Sequence, residues 1–251
     1  MMDKYVYQNN FSELYADFMK DNLNKNKRVK KSVKIVKILQ DYLGQNLADF
    51  TILDVGCSTG HCTAYVAQYV KEATGTDIDK AAISTAKLEY KDVQNVHFLY
   101  ADSMNLPFED DVFDVVICTQ VYEHVPDSNR LMDEIHRVLK SGGCCYFAAT
   151  QRFVFIEPHH KLPLLSWMPK KVANVYMRLM GKNMDYYENL LSYGSLRRLV
   201  NKFTLIDYTK KVIADPGKYG AEVQDRMINK ILVKLPFFMN VVPGYLWILV
   251  K

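Results

Sequence analysis

The stretch Ile52-Leu53-Asp54-Val55-Gly56-Cys57-Ser58-Thr59-Gly60-His61 constrains this chain more than any other. An apolar run ends in an acidic residue and its neighbour, then passes into a short turn with two glycines that opens a helical pattern. A strand that turns so abruptly into a helix belongs to a parallel sheet with crossover helices. At the carboxyl edge of such a sheet, backbone N–H groups and helix N-termini converge on a crevice, and glycine lets the backbone approach a ligand closely. The glycines here are spaced GxxxG, not the GxGxxG of dinucleotide-binding turns, which argues against an NAD-dependent oxidoreductase. Asp54 would repel a pyrophosphate and welcome a cationic or amino-bearing ligand.

The rest of the chain extends this rhythm. Thr51–Val55, Ala73–Asp77, Val96–Tyr100, Val112–Cys118 and Gly143–Ala149 read as strands, with helices over Gly60–Lys71, Lys80–Tyr90 and Asn129–Leu139. Leu106-Pro107 and Ser141-Gly142-Gly143 are placed as connecting turns. Near-continuous apolar strands of this kind are buried on both faces of an α/β sheet. After Thr150 the alternation stops. Gln151–Leu191, rich in Pro, His, Met and aromatics, reads as an insertion over the sheet edge, and Ala214–Asn240 as a second one. Between them Tyr193–Asn201 reads as a helix and Phe203–Val212 as a strand, and Tyr245–Lys251 closes as a strand.

Two amphipathic segments precede the sheet, one through Phe11, Leu14, Tyr15 and Phe18, the other through Val29, Val33, Val36, Leu39 and Leu43. The second carries a lysine-rich face, read as a solvated surface, with anionic lipid or an acidic partner as the alternative. With 251 residues, 49% of them hydrophobic and 24% charged, the chain suits one globular domain, and a net charge of +4 is too small to imply nucleic acid. The five cysteines form no CxxC pair, and adjacent Cys144 and Cys145 would face opposite sides of a strand, as suits reduced thiols. The first residues lack a signal-peptide core, and Pro236, Asn240, Pro243 and Gly244 interrupt the apolar stretch Leu235–Val250. The expectation is a cytoplasmic protein, and its apolar insertions are read as a hydrophobic substrate tunnel, a membrane-surface contact, a dimer interface or ordinary cap packing.

The segment around Gly56 resembles motif I of class I S-adenosylmethionine-dependent methyltransferases. Four further pieces fall in register with that family: Gly75-Thr76-Asp77-Ile78-Asp79, Ala101 through Phe108, Phe113-Asp114-Val115-Val116 with Val121-Tyr122-Glu123-His124-Val125, and Glu134 through Gly143. The likeness covers roughly residues 50 to 150. Ser58 stands where the family more often has a glycine, and Ser141 where it has a proline. The resemblance implies an α/β, Rossmann-like doubly wound sheet of seven strands in the order 3-2-1-4-5-7-6, the last antiparallel. It implies one methyltransferase domain over 1–251: N-terminal helices in 1–48, a cofactor-binding half in 49–150, cap insertions in 151–192 and 213–243, and closing elements in 193–212 and 244–251.

It also implies S-adenosylmethionine as cofactor and a set of roles. Asp54 would hold the ammonium of the amino acid tail, with the backbone of Gly56, Cys57, Ser58 and Gly60 against that tail. Asp77 would take the ribose hydroxyls, Ile78 and Met104 would sandwich the adenine, and Asp102 and Ser103 would read its edge. Thr119 and Gln120 would face the methyl-donating centre. Asp79 is read as a helix N-cap and Asp114 as a strand-edge residue. His124, His159 and His160 are the candidate bases, and no metal site is expected. Residues 151–192, which concentrate Trp167, Tyr176, Tyr186, Tyr187 and leucines such as Leu164, are expected to form a lid over an apolar acceptor pocket together with the N-terminal helix around Tyr5–Phe18. The acceptor is expected to be a small molecule, a lipid or a saccharide; nucleic acid is disfavoured because the fourth strand does not end in (D/N)PP(Y/F). A non-catalytic S-adenosylmethionine-binding protein would carry the same motifs.

Overall fold

A computed structural model describes residues 25–221, 231, 233 and 237–251. The amphipathic segment Phe11–Phe18 and most of the second insertion lie outside the described residues. The chain folds as α1 (Lys25–Leu43), β1 (Thr51–Val55), α2 (His61–Ala67), β2 (Glu72–Asp77), α3 (Lys80–Glu89) and β3 (Val96–Tyr100). It continues through β4 (Phe113–Thr119), α4 (Ser128–Val138) and β5 (Leu139–Thr150), then a cap with a 3₁₀ turn at Leu165–Trp167 and α5 (Lys170–Leu179). The closing elements are α6 (Tyr193–Leu199), β6 (Thr204–Asp207), α7 (Thr209–Ala214) and β7 (Gly244–Val250).

The seven strands form one sheet in the order β3-β2-β1-β4-β5-β7-β6, as expected. The first five run parallel, and β7 pairs antiparallel with both β5 and β6. Alternation along the strands divides the core into two layers. Cys145, Phe147, Trp247 and Leu249 pack into the layer that also buries Leu131, Ile135 and Val138 of α4. Cys144, Tyr146 and Ile248 join the opposite layer with Ile35, Ile38 and Leu39 of α1 and Ile83 and Ala86 of α3. Side-chain caps start the helices that flank the crevice. Asp79 accepts from the N–H groups of Ala81 (3.0 Å) and Ala82 (3.1 Å) at α3, and Asp127 does the same for Asn129 and Arg130 at α4. Asp114 ties the sheet's amino edge by accepting from Thr51 N–H (2.8 Å), Thr51 Oγ1 (2.7 Å) and Lys140 Nζ (2.8 Å).

Two sequence readings are corrected. Phe203–Val212 is not one strand: β6 stops at Asp207, whose carboxylate accepts the Thr209 N–H at 2.8 Å, and α7 follows. Ser141-Gly142-Gly143 does not precede the fifth strand but lies within β5, where the register jumps from Phe113↔Leu139 to Val115↔Cys144 and Gly142 takes a positive φ of 77°. Among the described residues, no helix is long and apolar enough to cross a membrane.

Candidate active site

The carboxyl ends of β1, β2 and β4, with α1 above them and the cap beside them, enclose a cavity of about 480 Å³. The turn after β1 shapes its floor. Gly56 has φ 72° and lies so close to the loop after β4 that a Cβ would meet Val121 Cγ2 at 2.6 Å. Only glycine combines that backbone with that approach. Ser58 also adopts a positive φ, 51°, and its N–H donates to Asp77 Oδ2 at 2.7 Å. Asp77 Oδ1 accepts a second N–H, from Asp79, at 2.9 Å. The serine in place of the family's glycine therefore keeps a left-handed turn, held by the carboxylate at the end of β2.

The electrostatics of this region are set by burial. Asp54 is buried and accepts from Thr63 Oγ1 of α2 at 2.7 Å; desolvation outweighs that bond and lifts its carboxyl to about 6. Burial likewise raises Asp77, against the two backbone N–H bonds that favour its anion. Burial pushes the Cys57 thiol well up, so it is no nucleophile at neutral pH. Arg28 of α1 donates to Thr59 Oγ1 at 2.7 Å and, with Lys31 and Ser32, reaches the cavity from above.

On the loop after β4 and in the cap, a buried group of acids and imidazoles meets the same cavity. The rings of His124 and His159 sit edge to face, 4.7 Å between centroids. Nδ1 of His124 lies 3.1 Å from the Tyr187 hydroxyl, and Nδ1 of His159 lies 2.7 Å from Glu157 Oε1. Desolvation and the neighbouring His159 depress His124 to about 3. For His159 burial also opposes protonation, but Glu157, Glu188 and Glu123 outweigh it and its pKa is raised. Desolvation lifts Glu123 to about 7.

Most of the residues singled out in the sequence come together. Asp54, Gly56, Cys57 and Ser58, then Asp77 and Ile78, Asp102 and Ser103, Thr119 and Gln120, and His124 and His159 all line the one cavity. Three do not. Gly60 faces Phe98 and Ala86, where a Cβ would clash at 2.4 Å, so its role is helix–sheet packing. Met104 is 4% exposed within the core, its N–H given to Asp102 Oδ1 at 2.8 Å, so it is a core methionine rather than an adenine wall. His160 is bonded to Glu188 at 3.2 Å, outside the cavity lining.

The cap part of the expected lid is also corrected, while the helix around Tyr5–Phe18 lies outside the described residues. Leu162, Leu165, Ala173, Met177 and Tyr186 form a small core of the cap's own, and Leu164 and Trp167 are exposed. Pro158, His159 and Lys161 are the cap residues that reach the cavity. Sequence reading missed Arg28, Lys31 and Ser32, which looked like part of a solvated basic face. Their only signal was position, at the start of the helix that precedes the sheet.

The donor set fits an adenosyl sulfonium cofactor: a glycine cradle that a Cβ would fill, and Asp54, Asp77, Asp79 and Asp102 with Arg28, Lys31 and Lys161 around one crevice. The sequence profile of the methyltransferase domain matches residues 53–147. Demethylmenaquinone methyltransferase of Staphylococcus saprophyticus is 30% identical over 162 residues, 60% of this chain and 67% of that protein. The uncharacterized methyltransferase YcgJ of Bacillus subtilis is 35% identical over 98 residues, 38% of this chain and 39% of that one. The matched portion thus spans between about two fifths and two thirds of these relatives' lengths. The crystal structure of MccD protein superposes with a TM-score of 0.57 at 19% identity, covering 86% of this chain and 96% of that one. Phosphoethanolamine N-methyltransferase 1 of Haemonchus contortus gives 0.58 at 12% identity, covering 99% and 47%. The fold and crevice are those of a Rossmann-like methyltransferase. The chain belongs to the class I S-adenosylmethionine-dependent methyltransferases, and S-adenosylmethionine is the cofactor of that family.

Proposed function

We propose that this chain moves the methyl group of S-adenosylmethionine to a small-molecule acceptor, with quinols as the leading class. The observation that carries the reading is one cavity lined both by the acidic glycine turn and by the His124–His159 pair. The names of the demethylmenaquinone methyltransferases support a quinone-like acceptor. Asp54 holds the cofactor's ammonium, and Arg28 or Lys31 its carboxylate. Asp77 takes the ribose hydroxyls, Ile78 covers one face of the adenine, and Asp102 reads its amino edge. The cofactor supplies an electrophilic methyl whose bonding pair stays on sulfur while an electron pair of the acceptor forms the new bond. The protein aligns acceptor, methyl and sulfur and keeps water out. Thr119 and Gln120 bound the reacting centre; Gln120 is held by Thr150, whose hydroxyl donates to its Oε1 at 2.7 Å. His124 and His159 contact the acceptor's oxygen.

The cap supports an acceptor drawn from a lipid surface. Phe155, Ile156 and Trp167 are 67%, 54% and 45% exposed, and Phe153 packs against Trp167 with ring centroids 5.5 Å apart. Such apolar clusters are marks of an interaction surface. The test is calorimetry with S-adenosylhomocysteine, followed by methyl transfer to a panel of hydroxylated acceptors that includes a reduced naphthoquinone. Binding with turnover on the quinol is the expected result. Binding without turnover on any acceptor of the panel would overturn the acceptor class, and absence of binding would overturn the cofactor site.

A further inference from the structure

Glu123 is fully buried at the turn after β4, yet neither of its carboxylate oxygens has a hydrogen-bond partner. Its backbone is well placed: the carbonyl accepts the Asn189 N–H at 2.8 Å. The side chain is left without a hydrogen bond, its charge interaction being chiefly with His159, and a buried carboxylate so placed is costly enough to need a reason. The neighbouring groups supply one. Single ligand atoms of Glu123, His124 and His159 all lie within 4.8 Å of one another. Two imidazoles and one carboxylate this close together suit a divalent first-row ion with coordination positions left for a substrate. The imidazoles are also held as ligating histidines are. Nδ1 of His159 is engaged by the buried carboxylate of Glu157, and Nδ1 of His124 by the Tyr187 hydroxyl. Partners of this kind fix ring orientation around a metal. Glu157 is itself anchored, accepting the N–H groups of His159 (2.8 Å) and His160 (2.7 Å) through Oε2.

We propose that Glu123, His124 and His159 hold a divalent cation, of the manganese or zinc class, where the cap meets the loop after β4, and that this ion takes an oxygen of the acceptor. Both histidines line the cavity. Ligands on opposite sides of one ion lie about 4.3 Å apart at ordinary metal–ligand distances, so the site closes by roughly half an ångström when filled. The ion acts as a Lewis acid: a coordinated hydroxyl binds as its oxyanion and releases its proton to water. The acceptor half of this inference rests on the methyl-transfer reading, whereas binding of the ion does not.

The test uses the full chain after chelator treatment, titrated with Mn²⁺ alone and followed by paramagnetic resonance of the free ion, with Zn²⁺ alone as a calorimetric repeat. One equivalent should bind, and Glu123→Gln, which keeps the shape of the side chain, should weaken it at least roughly tenfold. S-adenosylhomocysteine affinity should be unchanged in that variant. Thermal unfolding with and without the ion provides an independent reading: the ion should raise the midpoint of the parent protein but not of Glu123→Gln. Should that variant not fold, His159→Gln serves the same comparison. A parent protein that takes up neither ion, or binding that Glu123→Gln leaves intact, overturns the cation site. Ion binding in a protein that takes no S-adenosylhomocysteine keeps the cation site and removes the methyl-transfer reading.

Discussion

At the residue scale the two aspartates of the crevice make the clearest predictions. Asp54 titrates near 6 in the fold against an ordinary 3.8, because burial disfavours its anion. Its protonated form therefore stabilises the ligand-free fold below about pH 4, and that contribution is lost as pH rises through 6. A cationic cofactor tail needs the anion. Cofactor affinity should be level above pH 6 and fall up to about tenfold per unit below it, read by calorimetry across that window. Asp54→Asn should remove this pH dependence and weaken binding, while the ligand-free protein melts no lower than the parent near neutral pH. A dependence that survives in Asp54→Asn would reject the assignment. Asp77→Ala should weaken S-adenosylhomocysteine by roughly 1.5–3 kcal/mol, the scale of hydrogen bonds to a charged group. Both aspartates were legible in the sequence, since each sits at a strand end beside a turn. Arg28 was not: a helix periodicity identifies which face is polar, and nothing in it says that the first turn overhangs a cavity.

At the element scale the cap is where sequence and structure part. Its apolar residues were expected to face inward, but a segment this short builds its own core from Leu162, Leu165, Ala173, Met177 and Tyr186, and leaves the rest outside. On α5, Val172, Val175 and Leu179 are exposed as well. Leu164→Asp should therefore change stability by no more than about 0.5 kcal/mol, as surface substitutions do. Phe155→Ser with Trp167→Ser should reduce co-sedimentation with anionic vesicles and leave S-adenosylhomocysteine affinity unchanged. Equal sedimentation of parent and variant would remove the lipid-surface reading. Phe203–Val212 carries a related lesson. Alternation alone extends a strand past Asp207, but an aspartate that caps the next N–H turns the chain into a helix instead.

At the scale of the whole molecule, the closing strand holds the two layers together. Trp247 is 1% exposed, near-parallel to the rings of Phe147 and Tyr245, and Ile248 pairs with Tyr146 on one side and Ile206 on the other. Trp247→Ala should cost about 3–5 kcal/mol, measured by denaturant unfolding. The strands, the crossover helices, the acidic glycine turn and a sheet covered on both faces were readable from local patterns, whereas the strand order came from the family resemblance. Periodicity and turn chemistry act between neighbours in the chain, so they survive in a bare sequence. The meeting of Glu123 and His124 with Glu157 and His159 was not readable in this way. Those residues sit on separate elements more than thirty positions apart; His124 and His159 stood out singly as candidate bases, but nothing local says that they meet. Their approach depends on how the cap packs beside the loop after β4, and long-range packing of that kind exists only in the folded chain.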